Sequence, residues 1–410
     1  VPKFAPGRFP PGFFDLPADA GEGLPLEVIA QWTASPQDRD AAAGILAPHT
    51  LRGLVVSSDA AGLTRLSRER PLVEILALIN RPKELIHAYG RAIGGRAIGT
   101  WAADNTQMFY GESVAPAAAL GMLLALQQRL AEEGTIGIGL AAHRGTFYEL
   151  MDGVYGPDAD RVETVAEEHT EGGELVVTAE VAAALPPGHG FTLVRRADLA
   201  AAFGEVLRVT GGPRLEPLAA TDIRYPTPFP DAFREQLHAA GEERRAVPEP
   251  EYEDCTVVLV ERERDVPDEP EVALLNDLAL AAAMRRIATA LLAELGGSEI
   301  KTAGLIGIYT FDDPGTGVAF ARRFRDAFAS EGVETRIGID AGEVLVFDLG
   351  RGRTDIAGSP VNVASKLAQD VGEFGRIYLS EEATRRARLE RRSRTVSFEV
   401  SGVKLTCRTI

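Results

Sequence analysis

Cysteine is almost absent from this 410-residue chain. Only Cys255 and Cys407 occur, so there is no basis for a disulfide framework or a thiolate metal cluster. The 6 histidines all lie before residue 240 and lack the close helical spacing of a zinc-peptidase motif, which leaves them as surface or packed residues. No apolar run reaches membrane-spanning length, because the richest stretch, residues 273–295, carries Asp277 and the pair Arg285–Arg286. A GxxxxGK phosphate loop and a strand-linked GxGxxG fingerprint are both missing. Basic residues number 43 against 60 acidic ones, and the net charge of -17 argues against a general nucleic-acid binder while leaving room for a local basic pocket. The opening VPKFAPGRFPPGFFD is proline-rich and lacks a cationic-then-apolar signal pattern, so the expectation is a cytoplasmic protein with no membrane segment.

What is present is enough apolar sequence, 45% of residues, to fill two or more cores. Residues 1–47 form an irregular arm with a polar, alanine-rich stretch around Trp32, read as a cover or docking arm. From about residue 50, short β-branched runs alternate with longer amphipathic ones, which predicts alternating strands and helices. GLVVSS (53–58) predicts a strand, 71–93 a helix interrupted near Pro82, AIGTWAA and TQMFY a hairpin around Asp104 and Asn105, 113–133 a helix, and TIGIGLAAHRG a strand. The same order recurs as CTVVLV (255–260), a helix over 272–295, a hairpin of EIKTAG and IGIYTF, a helix near 317–330, and TRIGIDAGEVLVF.

Spacing makes this an internal repeat. Ile98 and Thr100 match Ile300 and Thr302, Phe109 matches Phe311, Ile136–Gly137–Ile138 matches Ile337–Gly338–Ile339, and Gly156 matches Gly358, all at nearly one offset. A Pro-rich, then acidic stretch over 223–254 with one short polar helix separates the copies. The expected organisation is an arm at 1–47, a first domain at 48–220, a linker at 221–252 and a second domain at 253–410.

Both halves resemble the class III adenylate and guanylate cyclases. The first has SSDAAGLTRLS (57–67), with Asp59, Gly62 and Thr64 in family positions; the second has IKTAG (300–304), RIGIDAGEV (336–344) and TDIAGSPVNVASKLAQ (354–369). The resemblance spans roughly 50–190 and 253–410. It implies an α+β fold, two tandem ferredoxin-like cyclase domains paired within one chain as a pseudodimer, with a site between them. By resemblance, Asp59 would bind two divalent ions, Mg2+ or Mn2+, that hold a triphosphate and activate the ribose 3′-hydroxyl, since hard cations need oxygen ligands. The second metal position falls on Ala103 or on its neighbour Asp104.

The second copy has Glu261 and Leu305 at the metal positions, which makes it the base-reading partner. Lys301 and Asp355 fall where the family recognises adenine, and Asn362 where it orients the ribose. Lys366 stands where the family has a phosphoryl-stabilising arginine, keeping the charge but not the planar fork. The closing stretch FEVSGVKLTCRTI (398–410) resembles the family's closing hairpin, and by that resemblance Lys404 would reach the triphosphate, whereas a basic residue on a terminal strand commonly faces solvent. The opposite composite site would combine Glu261 and Leu305 with Gly99, Asp160 and Thr164, so at most one active site per chain is expected. The implied activity is conversion of ATP to cyclic AMP and pyrophosphate. The rivals are a silent regulatory or protein-interaction module and a cyclase for another nucleotide.

Each residue also has a plain structural reading. Asp59 before a glycine turn suits a cap, Lys301 an exposed strand guard, and Asp355 and Asn362 local backbone bonding around AGSP. Val363 and Leu367 suit a buried helix face. Only the combination at family spacing favours the nucleotide reading.

Overall fold

The computed structural model describes residues 12–16, 23–61, 72–99, 105–134, 136–151, 153–216, 234–235, 237–238, 252–264, 269–350, 353–389, 394–400 and 403–410. Its chain divides into two compact units. One is Leu46–Pro248; the other joins Val1–Ile45 to Glu249–Ile410.

Two helices come first, α1 (Leu26–Thr33) and α2 (Arg39–Leu46). The Leu46–Pro248 unit then runs β1 (Thr50–Ala60), α3 (Leu72–Ala92), β2 (Arg96–Ala97), β3 (Thr106–Gly111), α4 (Pro116–Glu133), β4 (Ile138–Leu150), β5 (Gly153–Tyr155), α5 (Pro157–His169), β6 (Leu175–Thr178), α6 (Ala179–Ala183), β7 (Thr192–Arg195), α7 (Ala200–Phe203) and β8 (Val206–Gly211). The second half repeats the plan as β9 (Tyr252–Arg262), α8 (Pro270–Leu295), β10 (Ser298–Ala303), β11 (Ile306–Phe311), α9 (Pro314–Ser330), β12 (Thr335–Gly350), β13 (Arg353–Ala357), α10 (Ser359–Ser365), β14 (Ile377–Ser380), α11 (Glu381–Arg386), β15 (Arg394–Val400) and β16 (Val403–Thr409).

The sheets have one topology. The strand order is β2-β3-β1-β4-β6-β8-β7 in the first and β10-β11-β9-β12-β14-β16-β15 in the second, with β5 on β4 and β13 on β12. Position by position the two orders correspond, as expected of a duplicated sequence.

Local signals set the elements. β1 and β9 each carry a continuous buried run, Leu54–Val56 and Val257–Val260, as a central strand covered on both faces demands. α9 starts where the Asp313 carboxylate accepts the Thr316 N–H at 2.8 Å, with Pro314 following. α4 ends on Gly134 at φ 66°, a left-handed cap that glycine adopts without strain. In the second core, Phe320, Phe324 and Phe328 recur one helical turn apart on α9 and are fully buried, with Phe324 and Phe328 stacked at 5.2 Å.

Two readings of the sequence are corrected. α3 is not interrupted at Pro82 but runs through it. Proline removes one backbone donor, and the buried Ile79, Leu85 and Ile86 keep the helix seated on its core. The Ile-Gly-Ile match between the copies is also displaced. Leu140 pairs with Leu175 on β6, and Ile337 with Ile377 on β14; Asp59 pairs with Gly139, and Glu261 with Arg336. These ladders set Leu140 against Ile337, His143 against Asp340 and Gly145 against Gly342. Short β-branched runs resemble one another, and only ladder partners fix register.

The segment before β1 packs on the second sheet's unit. Trp32 of α1 is fully buried, and its indole N–H donates to Asn276 Oδ1 of α8 at 2.9 Å. Phe13 is buried beside Phe328, ring centroids 6.2 Å apart, and Arg286 of α8 lies over its ring and donates to its carbonyl at 2.7 Å.

Candidate functional site

In the first unit, Asp59 sits half-buried near the end of β1, opposite Gly139 of β4. A Cβ on Gly139 would collide with the Thr170 hydroxyl, so the Thr170 side chain fills the space beside the glycine that faces Asp59. Gly62, Thr64, Ala103 and Asp104 lie outside the described residues. Among the described residues no group of three or more His, Cys, Asp or Glu side chains could hold a metal ion. Asp59 supplies one hard oxygen donor of the kind Mg2+ or Mn2+ takes, which by itself is only part of a ligand set.

The second unit differs at the same ladder position. Glu261 is buried and faces Arg336, whose Nε and Nη2 donate to its two carboxylate oxygens at 2.9 and 3.0 Å. Arg336 Nη1 donates to the Gly372 carbonyl at 3.0 Å, and its guanidinium lies 4.9 Å from the Phe374 ring centre. Leu305 is half-buried and offers no ligand. These residues do not fit a divalent ion.

Lys301 and Asp355 come together. They lie on β10 and β13, with Lys301 Nζ 3.4 and 3.5 Å from the two carboxylate oxygens. A register shift between Glu299 and Lys301 in the β10–β11 ladder is the kind of bulge that re-aims a side chain. Asp355 Oδ1 also accepts the Ile356 N–H at 2.9 Å, fixing the carboxylate. Lys301 is half exposed, 50%, so the pair offers donor and acceptor edges to solvent.

Gly358 makes the turn into α10 at φ 150°, and a Cβ on Gly338 would collide with the Ala364 carbonyl. α10 thus lies directly on the β12 backbone. It carries Asn362, exposed at the surface. The helix then widens into a π-turn over Lys366–Asp370, a feature that marks functional sites more often than chance. There Lys366 Nζ lies 3.5 Å from Asp370 Oδ2. The first copy keeps an unbroken α5 at the corresponding place. Lys404 takes its place on β16 opposite Glu399 of β15.

Two buried polar pairs escaped sequence reasoning, although correct repeat register reveals them. His143 is buried, with Nδ1 2.8 Å from Thr178 Oγ1 and Nε2 3.0 Å from Asp158 Oδ1. Burial alone raises the Asp158 carboxyl, but the His143 bond and the Thr146 N–H outweigh it and hold the group below the ordinary carboxylate range. In the second copy Asp340 takes the His143 position, accepting from the Ser380 hydroxyl and from the Ala341 N–H. Burial pushes its carboxyl up, against the pull of those bonds.

Residues 280–407 match the family model of the adenylate and guanylate cyclase catalytic domain. No curated protein matches the chain. A class III adenylyl cyclase-like ATP-binding protein from Pseudomonas aeruginosa aligns over 82% of this chain and 85% of its own, with a TM-score of 0.54 and 10% identity. The adenylyl cyclase CyaB from P. aeruginosa aligns with 40% of this chain and 96% of its own, at a TM-score of 0.34 and 20% identity. For the guanylate cyclase domain of RhGC from Catenaria anguillulae the shares are 39% and 97%, at 0.33 and 17%. No helix among the described residues is long and apolar enough to cross a membrane. The chain therefore has a class III cyclase-like fold built from two copies of one sheet topology, and the second copy carries the stretch that matches the catalytic-domain family.

Proposed function

We propose that the chain binds a nucleoside triphosphate, with ATP the preferred substrate, at one asymmetric site, and converts it to cyclic AMP and pyrophosphate. In this reading the first copy is the metal-bearing half and the second reads the base. The observation that carries it is the Lys301–Asp355 pair, held beside the Asn362 helix in the half that matches the catalytic-domain family.

The pair suits adenine, whose edge offers a ring-nitrogen acceptor to the Lys301 ammonium and an exocyclic amine donor to the Asp355 carboxylate. Asn362, exposed on a helix fixed against β12, orients the ribose. The 3′-oxygen attacks the α-phosphorus, loses its proton, and pyrophosphate leaves as the cyclic ester closes. Lys366 stabilises charge on the transferring phosphoryl group, and Lys404 the triphosphate tail. Asp59, with Asp104, would hold the divalent ions, which when bound supply Lewis-acid stabilisation of the phosphate oxygens.

A second reading, nucleotide binding without turnover, is favoured by one observation. Lys366 is engaged with Asp370 and lacks the planar fork that grips two phosphoryl oxygens. The similar P. aeruginosa structure is itself described as an ATP-binding protein, which accords with this reading.

Product formation by the purified chain separates the two, with ATP, GTP, CTP and UTP each supplied with Mg2+ or Mn2+. Cyclic AMP that disappears in Asp59→Asn supports the cyclase. A different cyclic product reassigns the base. ATP binding by calorimetry with no cyclic product in any reaction establishes the silent reading.

A further inference from the structure

Lys301 reaches Asp355 from a strand that is out of step with its neighbour. In the β10–β11 ladder Glu299 pairs with Tyr309 and Lys301 with Ile308, so Ile300 is one residue more than β11 can match. In a regular strand Glu299 and Lys301, two apart, would share a face. Here their partners are adjacent on β11, and the extra residue sends the two side chains to opposite faces. Tyr309 packs with Phe320 and Phe324 of α9, and Glu299 lies on that helical side. Ile308 belongs to the core that holds Ile356 of β13, against which Ile300 also packs, and β13 is the strand that carries Asp355.

One side chain holds this arrangement from the helical face. Arg285 of α8 is buried, and it donates from Nε to Glu299 Oε1 at 2.8 Å and from Nη2 to the Thr302 carbonyl at 3.3 Å. Those two acceptors bracket Ile300 and Lys301. Thr302 is buried, its hydroxyl 3.4 Å from that of Tyr309 on the same face. We infer that Arg285 is the positioning residue of the base-reading pair: by gripping β10 on both sides of the bulge it fixes the parity that turns Lys301 toward Asp355. A planar guanidinium spans a carboxylate and a carbonyl at once, where an ammonium is a single point of charge. A slip of one residue would carry Lys301 to the helical face, away from Asp355. The inference rests on the base-reading role proposed above for Lys301 and Asp355, and it needs no turnover.

The test is the ratio of affinities for 3′-deoxy-ATP and 3′-deoxy-GTP, which cannot cyclise, measured by calorimetry on the full chain with MnCl2. Lys301→Ala is expected to shift the ratio by about tenfold, and Arg285→Met by a similar factor. In the Lys301→Ala background, Arg285→Met should change it by no more than about twofold, because both act through one group. A purely structural role for Arg285 would weaken both nucleotides alike and leave the ratio where it was. Should Arg285→Met not fold, the double variant Arg285→Met/Glu299→Gln removes the carboxylate left unpaired and is expected to give the same shift. Arg285→Lys should fall between the parent and the Met variant. An unchanged ratio in folded Arg285→Met, or in the double variant, while Lys301→Ala shifts it, overturns the inference and leaves the base reading intact. An unchanged ratio in Lys301→Ala, or no binding of either nucleotide by the parent, overturns the base reading and this inference with it.

Discussion

Lys366 follows Asn362 by one helical turn and spends its charge on Asp370. An ammonium makes one point contact where a guanidinium makes two parallel bonds, so Lys366→Arg is expected to raise the initial rate of cyclic product formation by about tenfold. An unchanged rate would mean that this position does not meet the phosphoryl group. Asp340 gives a prediction about acid. Its carboxyl is raised by burial in the fold, so the folded state holds the proton more tightly than the unfolded chain. The contribution to stability is therefore greatest below the ordinary carboxylate value and is lost as pH rises through the folded one. Asp340→Asn keeps an acceptor for Ser380 and removes the titration. The stability difference between parent and variant, measured by urea unfolding from pH 4 to 7, should move against the parent as pH rises, and a flat difference would refute the assignment. The Lys366 substitution was legible in the sequence, but the burial of Asp340 and its bond to Ser380 were not. Asp340 reads as an ordinary strand residue until the ladders place it against His143.

Helices and strands carried their own signals far better than single residues did. Short β-branched runs alternating with longer amphipathic ones, and matched residues at nearly one offset, announced the repeated plan, and the strand of residues 335–347 and the helix of 272–295 were legible almost to their ends. What could not be read were departures from regularity. Tertiary packing carries α3 past Pro82, a bulge turns Lys301, and a π-turn widens the end of α10. Each depends on partners distant in sequence. The seat of α10 on β12 yields a test at this level. Gly338→Ala forces a methyl into the Ala364 carbonyl and is expected to cost about 1–3 kcal/mol, with loss of nucleotide binding because Asn362 and Lys366 ride on that helix. Gly44→Ala in α2, where an added Cβ meets nothing within 4 Å, should instead stabilise by about 0.5–1 kcal/mol. Urea denaturation of both variants checks the contrast.

The whole chain is not two beads in sequence order, because Val1–Ile45 belongs with Glu249–Ile410 and the Leu46–Pro248 unit is inserted between them. The arm was legible as a docking segment, but its partner was not, since nothing in a polar, alanine-rich stretch names the helix it covers. Trp32→Ala should cost about 3–5 kcal/mol and leave Asn276 without its indole partner. Hydrogen exchange would locate the damage, with faster exchange in α8 peptides and unchanged exchange in β1 and β4; uniform acceleration would count against the arm's membership in that unit. The same insertion sets a timetable for synthesis. Trp32 and Asn276 are 244 residues apart, which at ribosomal speeds is on the order of ten to fifty seconds. Throughout that interval the β1–β8 unit can finish folding while the apolar face of α1 waits uncovered, so a nascent-chain chaperone has its clearest target in residues 26–33.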